Sequence, residues 1–466
     1  MSTHLLAVLA IACASGDAGT GPIDVGTRRE LFVDEFLIER FDGARLELHR
    51  PVAREVAVVH DTDWEGNTCG YHTVFQDGDL YRMYYRGSHH KRDTRREKHP
   101  QFTCYAESKD GKHWVKPELG LFEFNGSKAN NIVWAGDGTH NFAPFKDANP
   151  NCAPDARYKA LGSIKGGLGT FASPDGIHWR PTSQKAVITK GAFDSQNLAF
   201  WDTRTGCYRD FHRGFTEGVR AIMTCTSRDF ANWTDPEWLA YAEGTPPEHL
   251  YTNQITPYFR ALQIYMGFPK RFGPERRFPG NAMPGLSDGV FMTSRDGLHF
   301  QRWTEAWIRP GPQRERWVNR NNMTAWGIVE TAAAIAAAPN ELSVYSTEGY
   351  YEGESCQIRR YSQHFVDLID LDANALVTLP VSEVLGHDYP HLQLLAVRDR
   401  GDYLQPIYAS GAFDQGPLVI TFGELLKNRE FVTLMRTALG KLERHYGCPV
   451  DIEFTASVDA SERVRI

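Results

Sequence analysis

Ser108-Lys109-Asp110-Gly111-Lys112-His113-Trp114 recurs down the chain as Ser173-Pro174-Asp175-Gly176-Ile177-His178-Trp179, as Ser227-Arg228-Asp229-Phe230-Ala231-Asn232-Trp233 and as Ser294-Arg295-Asp296-Gly297-Leu298-His299-Phe300. The heptapeptide has the chemistry of a hairpin. Ser and Asp side chains bond nearby backbone N–H groups, Gly accepts a positive φ, and the aromatic three residues after Gly starts the next strand facing inward. Successive copies begin 54 to 67 residues apart, the length of a four-stranded unit with its loops.

Working outward from each copy, alternating aromatic and aliphatic residues predict a strand upstream: Leu80 to Tyr85, Arg157 to Leu161, Cys207 to Phe211, Leu262 to Phe268 and Leu342 to Tyr345. An earlier segment precedes each, around Tyr71 to Phe75, Asn141 to Phe145, Gln196 to Phe200, Thr252 to Tyr258 and Met323 to Val329, and a later one follows, the last being Cys356 to Tyr361. Five units of four strands with almost no helical periodicity up to residue 361 fit radial repetition, in which each unit buries a face on the next. The expected fold is all-β, a five-bladed β-propeller over residues 25–361. The run Glu30 to Glu39 is expected to add a strand that closes the ring.

Composition narrows the function classes. The 466 residues carry 51 basic and 58 acidic side chains, a formal charge of −7, which gives no general attraction to nucleic acid or acidic lipid. No later stretch is long and apolar enough for an integral membrane span. At the start, Leu5 to Cys13 is a short apolar run followed by Ala12-Cys13-Ala14, so residues 1–20 are a candidate signal peptide and a secreted or periplasmic location is expected, although no Lys or Arg precedes the run. The remaining seven of eight cysteines are dispersed without a CxxC pair, which indicates no zinc site or redox motif. Cys207 and Cys225 face each other across a hairpin or are two reduced core thiols. Neither a cofactor nor a metal is expected; a central ion held by His72, His140 and His249 is the alternative.

In a propeller the innermost strands converge, so polar residues at their starts share one small volume. Here these are Trp64-Glu65-Gly66-Asn67 with His72, His140-Asn141 with Asp147, Asp194-Ser195-Gln196-Asn197, Glu248-His249-Leu250-Tyr251-Thr252-Asn253, and Asn319-Arg320-Asn321-Asn322. Cleaving a glycosidic bond takes one carboxylic acid to protonate the leaving oxygen and one carboxylate to attack or activate water. Aromatic, amide and guanidinium groups suit sugar recognition. Trp64, His72, His140, Asn197, Tyr251, Asn253, Arg320 and Asn322 are therefore candidate carbohydrate-binding residues.

With the repeats, Arg28-Arg29-Glu30-Leu31-Phe32-Val33-Asp34, Phe193-Asp194-Ser195-Gln196-Asn197-Leu198-Ala199-Phe200 and Trp317-Val318-Asn319-Arg320-Asn321-Asn322, the chain resembles the five-bladed propeller glycosidases, in particular the N-terminal domain of glycoside hydrolase family 32 and its relatives in families 43 and 68. The resemblance implies three inner-strand acids. By position these are Glu65 as nucleophile or base, Asp194 as transition-state stabiliser and Glu248 as general acid. The invertase-type Asn-Asp-Pro-Asn segment is absent, and the Arg-Asp-Pro and Glu-Cys-Pro signatures have no counterpart. A glycoside hydrolase is the first expectation, a sugar-binding propeller without catalysis the second.

After Tyr361 the periodicity changes. Phe431, Leu434, Met435, Ala438, Leu439, Leu442 and Tyr446 follow helical spacing, with Gly447 and Pro449 as stops and Val450 to Thr455 as a strand. Residues 362–466 are expected to form a small α+β segment. Its His445-Tyr446-Gly447-Cys448-Pro449-Val450-Asp451-Ile452-Glu453-Phe454 resembles part of the pyruvate- and ATP-binding domain of phosphoenolpyruvate synthase and pyruvate phosphate dikinase. That resemblance implies a Glu453 facing nucleotide and metal, but the nucleotide-grasping half is missing, so a nucleotide- or pyruvate-binding remnant is the third expectation.

Overall fold

The structure, a computed structural model, describes residues 22–90, 97–276, 285–311, 316–317, 319–333, 338–348, 365–370, 373–385, 390–399, 404–407, 418–447, 450, 457–458 and 464–465. The fold is predominantly β. Three four-stranded antiparallel sheets follow one another: Gly70–Asp77, Leu80–Gly87, Phe102–Ser108 and Trp114–Val115; then Ala143–Lys146, Tyr158–Ile164, Gly167–Ser173 and Arg180–Pro181; then Leu198–Asp202, Cys207–Thr216, Val219–Ser227 and Glu237–Trp238. Ile132–Ala135 adds to the third strand of the first sheet. The fourth group has Thr256–Tyr258, Ala261–Gly267, Met292–Ser294 and His299–Arg302, with Ala240–Tyr241 parallel at its edge and the ladder His249–Leu250, Lys270–Gly273, Leu286–Gly289 beside it. Last come two short ladders, Met323–Thr324 with Ser346–Thr347 and Val329–Thr331 with Glu341–Ser343. The expected segment Cys356 to Tyr361 lies outside the described residues.

The repeated heptapeptide behaves as its chemistry requires. In the second copy Ser173 Oγ accepts from the Gly176 N–H at 2.9 Å, and Asp175 Oδ1 accepts from the N–H groups of Ile177 and His178 at 2.9 and 2.8 Å. Gly111, Gly176 and Gly297 take φ of 73°, 81° and 79°, and the third copy places Phe230 in the same left-handed region at 65°. Phe230 is buried among aromatic side chains, which offsets the backbone cost of a non-glycine residue there.

Each group is tied to the next by side chains. Tyr158 on the second sheet donates to Asp77 of the first at 2.6 Å, Tyr208 of the third donates to Asp147 of the second at 2.7 Å, and Tyr265 of the fourth donates to Asp202 of the third at 2.5 Å. Tyr81 of the first sheet donates to the main-chain oxygen of Glu330 in the last group at 2.6 Å. Asp147, grouped with the candidate inner-strand starts by sequence, thus lies at the far end of its strand as a tie between sheets. Nearer the strand starts, Asn141 Nδ2 reaches Ser195 O at 2.6 Å, Ser195 Oγ reaches Tyr251 O at 2.6 Å, and Trp326 Nε1 reaches Ile255 O at 2.9 Å. Trp326 closes the circuit: its N–H donates to His72 O at 2.8 Å, and its carbonyl accepts from Val74 N–H at 2.7 Å.

The N-terminal run departs from expectation. Glu30 to Glu39 contains no strand. Its side chains hold it instead: Glu30 and Asp34 pair with Arg295 at 2.8 and 2.7 Å, while Leu31 and Val33 pack on the cluster of Tyr258, Ile264 and Phe268. Lys270–Gly273 forms a strand, and 277–284 lie outside the described residues. Cys207 and Cys225 are free thiols. In the tail, helix Arg429–Tyr446 is capped by Asn428, whose Oδ1 accepts from Phe431 N–H at 3.0 Å, and by Gly447 at φ 69°. Residues 451–456, with Glu453, lie outside the described residues. No described helix is long and apolar enough to cross a membrane.

Two stability predictions follow. Tyr208→Phe removes the hydrogen bond to the Asp147 carboxylate, and chemical denaturation is expected to show a loss of about 1–2 kcal/mol. The hairpin carboxylates Asp110, Asp175, Asp229 and Asp296 all lie below the usual range, the last at about 2. Local backbone and side-chain donors lower all four, and for Asp175 and Asp296 they outweigh an opposing effect of burial. A depressed carboxylate stabilises the fold above its unfolded value and loses that contribution as pH falls through the folded one, so the thermal midpoint should drop steeply below about pH 4.

Candidate functional site

The candidate residues fall into three separate environments. Glu65 is fully buried within the first group. Its Oε1 accepts from Tyr85 OH at 2.6 Å and faces His60 Nδ1 at 3.2 Å; its Oε2 accepts from Thr62 N–H, Thr62 Oγ1 and Lys116 Nζ at 3.0, 2.8 and 2.8 Å. Burial opposes its charge, but His60 and Lys116 outweigh that and hold the carboxyl well below the usual range. Glu248 is 28% exposed and grips Arg271 at 3.0 Å and Arg302, the latter on the outer strand of the fourth group. Asp194 is 67% exposed; its Oδ1 lies 2.9 Å from His140 Nε2, and its Oδ2 lies 4.0 Å from Arg213. Desolvation by the protein around its base works against its ionisation, yet His140, Arg213 and Arg320 together keep the carboxyl below its ordinary value. Among the described residues the three carboxylates share no hydrogen-bond partner.

The amide candidates are engaged with main chain. Asn197 Nδ2 donates to Ser195 O at 2.8 Å, Asn253 Nδ2 to Phe211 O at 3.2 Å, and Asn322 Nδ2 to Ser287 O at 3.0 Å; all three residues are buried. Trp64 donates from its indole to Asn131 at 2.6 Å and packs edge-on to Phe124. His72 stacks on Tyr85 and sits 2.9 Å from His60 Nε2; burial and His60 push its imidazole well below the ordinary value. His140 turns to Asp194, and His249 Nδ1 accepts from Arg220 N–H at 3.2 Å, so the three histidines considered for a central ion face different partners. The one described cluster with metal-ligating spacing is Asp210, His212 and Cys225 in the third sheet, where the groups bond one another.

Around Asp194 the structure gathers Tyr71, His140, Arg213, Tyr251 and Arg320. The Tyr71 ring lies edge-on to His140, and the Arg213 and Arg320 guanidinium carbons lie 4.7 and 6.0 Å from the Tyr251 ring centre. Backbone strain concentrates here. Tyr71, Gln254, Arg320 and Asn322 adopt φ of 56°, 45°, 79° and 57°, a region costly for side-chain-bearing residues and over-represented at functional sites. Gln196 helps hold the arrangement, donating to Tyr71 O at 3.1 Å and His72 O at 3.2 Å.

Three cations were missed in sequence. Arg86, Arg213 and Lys270 each follow an aromatic core residue by two positions, Tyr84, Phe211 and Phe268. Tyr84 and Arg86 lie in one strand, as do Phe211 and Arg213, and residues two apart in a strand share a face; Lys270 instead opens its own strand two residues after Phe268. Tyr84-Tyr85-Arg86, Phe211-His212-Arg213 and Phe268-Pro269-Lys270 carried that signal.

No family model and no curated protein matches the chain. Its structural neighbours include an N-acetylgalactosamine deacetylase from F. plautii solved with blood group B trisaccharide, at 15% identity and TM-score 0.40, covering 61% of this chain and 82% of that one. An alpha-L-arabinofuranosidase from Clostridium thermocellum matches at 12% identity and TM-score 0.35, over 66% and 93% of the two chains. A fructofuranosidase from Schwanniomyces occidentalis matches at 13% and 0.34, over 63% and 65%. The likeness is loose.

Glu65→Gln breaks a buried ion-pair network. A loss of about 3–5 kcal/mol by denaturant titration is expected, in line with removing one partner of a buried pair. Burial disfavours the charged His60 imidazole, but Cys69 and Glu65 outweigh it and raise the group to about 10. A raised base stabilises below its unfolded value and loses that contribution as pH climbs through the folded one. Stability should therefore decline from about pH 6.5 toward 10, and less so in Glu65→Gln.

Proposed function

We propose that residues 25–361 form a five-bladed β-propeller, that residues 362–466 are a separate α+β unit, and that the propeller acts on a carbohydrate in a glycosidase-type reaction with Asp194 as the carboxylate that meets the sugar. The hydrogen bonds that run from Ile255 through the indole and main chain of Trp326 to His72 and Val74 support the ring. The observation that carries the assignment is the exposed, ionised Asp194 against His140, set among strained inner-strand starts. A carboxylate held below its usual range suits a base, a nucleophile or a stabiliser of developing positive charge. His140, through Nε2, holds the Asp194 carboxylate at 2.9 Å and orients it. Glu65 and Glu248 serve the framework, each through its ion pairs. Export through residues 1–20 remains part of the proposal.

One observation favours a second reading, sugar binding without catalysis: the other two candidate carboxylates are engaged elsewhere. A reducing-sugar assay over a polysaccharide panel, coupled to affinity electrophoresis on the same polymers, separates the two. The expected result is turnover by the wild type, a fall in kcat/KM of about 10³-fold in Asp194→Asn, and far smaller losses in Glu248→Gln. Equal turnover by wild type and Asp194→Asn overturns the role of Asp194. Retardation that depends on Asp194, without turnover on any polymer, establishes the binding reading.

A further inference from the structure

Positive charge accumulates beside Asp194 far beyond what that one carboxylate neutralises. Arg213 is 5% exposed, and its Nε and Nη1 have no hydrogen-bond partner among the described residues. Lys270 is fully buried, its Nζ 3.9 Å from the Tyr251 ring centre and 2.9 Å from Asn319 Oδ1. Arg220, half-buried with Nε unpartnered, lies 5.7 Å from the same ring centre. The Tyr71 hydroxyl, likewise buried, has no partner. Arg320 approaches Tyr251 from another strand start. Tyr251 is thus ringed by four cations drawn from three of the strand groups, and among the described residues the carboxylate acting on Lys270 and Arg220 is Asp194.

Such a cluster is expensive to assemble. A buried ammonium or guanidinium loses solvation that only a paired anion or full hydrogen bonding restores. Burial, with Arg320, Arg220 and Arg213 nearby, pushes the Lys270 amine well below its ordinary value. The Tyr251 ring offers each cation a π-face, a fraction of the loss. Unmade guanidinium donors and a free phenol that converge from separate strands are what a planar or tetrahedral oxyanion completes, since Arg presents a fork matched to its oxygens.

We propose that Arg213, Arg220 and Lys270, with the Tyr71 hydroxyl, form an oxyanion-binding site adjoining Asp194. Its ligand is either a charged substituent of the sugar, carboxylate or sulfate, or a free phosphate bound beside it. The inference deepens the carbohydrate reading by naming the charge class of the ligand, but anion binding is measured on the protein alone, without turnover, so either can fail by itself.

The test is thermal shift and calorimetry on the full chain at constant ionic strength, with sodium phosphate, trigalacturonate and neutral galactotriose as probes. Phosphate or trigalacturonate is expected to raise the midpoint and bind at least tenfold more tightly than galactotriose. Phosphate alone sufficing identifies a free anion; a response to trigalacturonate without phosphate identifies the substituent. Lys270→Met, which keeps the volume and removes the charge, should melt no lower than wild type without anion and lose at least tenfold in anion affinity. Arg220→Met, at a less buried position, should weaken anions likewise. Anion responses of equal size in wild type and both variants, or none in the wild type, overturn the proposal.

Discussion

A phenol of one sheet donating to a carboxylate at the end of its neighbour's first strand is the contact on which the arrangement depends. Tyr158 to Asp77, Tyr208 to Asp147 and Tyr265 to Asp202 repeat it, and Tyr81 to the carbonyl of Glu330 continues it where the chain returns to its first sheet. Antiparallel hydrogen bonding holds strands within a sheet, but nothing in a ladder fixes one sheet against another. Apolar packing supplies the attraction between faces, and it is non-directional. A hydrogen bond to a charged acceptor adds the direction, and it acts alongside apolar side chains of the same interfaces. Burial and the bond to Asp77 push the Tyr158 phenol up to about 12, so the tie keeps its proton throughout the physiological range.

With the sheets set in this way, the other ends of the first strands approach one another, and their chemistry follows from crowding. Asparagine and glutamine amides there bond main-chain carbonyls of neighbouring groups, as Asn141, Gln196 and Asn253 do. Gln196 bonds the carbonyl of left-handed Tyr71 and the side-chain amide of left-handed Gln254, while Ser287 accepts from the N–H of left-handed Arg320 and the Nδ2 of left-handed Asn322. What is left to face outward is Asp194 with His140, while cations from neighbouring strands lie beneath. The three acids of the sequence reading have therefore parted into two framework ion pairs and one exposed carboxylate.

That division shows where sequence reasoning was strong and where it gave out. The hairpins were legible because Ser, Asp and Gly in the heptapeptide bond and bend within a few residues of one another, and the strands upstream of them, such as Leu80–Gly87 and Tyr158–Ile164, were legible from alternation. Residues 30 to 39 are rich in Leu, Phe, Val and Ile, yet they attach through Glu30, Asp34, Leu31 and Val33 and make no ladder. Apolar and β-branched content reports a tendency to be covered; it does not report whether the backbone finds a partner. Glu65 and Asp194 looked alike as acids ahead of an inner strand, and only the positions of Lys116, His60, His140 and Arg213, 5 to 54 residues away in sequence, tell them apart.

The sequence by itself determined the repeating unit, its turns, the helix ending at Gly447 and the polar character of the strand starts, because each rests on interactions between residues close along the chain. Only the tertiary structure decided which carboxylate is exposed, which amides tie the sheets, and that Arg213, Arg220 and Lys270 surround one tyrosine. Those outcomes depend on groups brought together from separate sheets, and the strength of a charge or a hydrogen bond is set by the neighbours and the water that folding leaves around it.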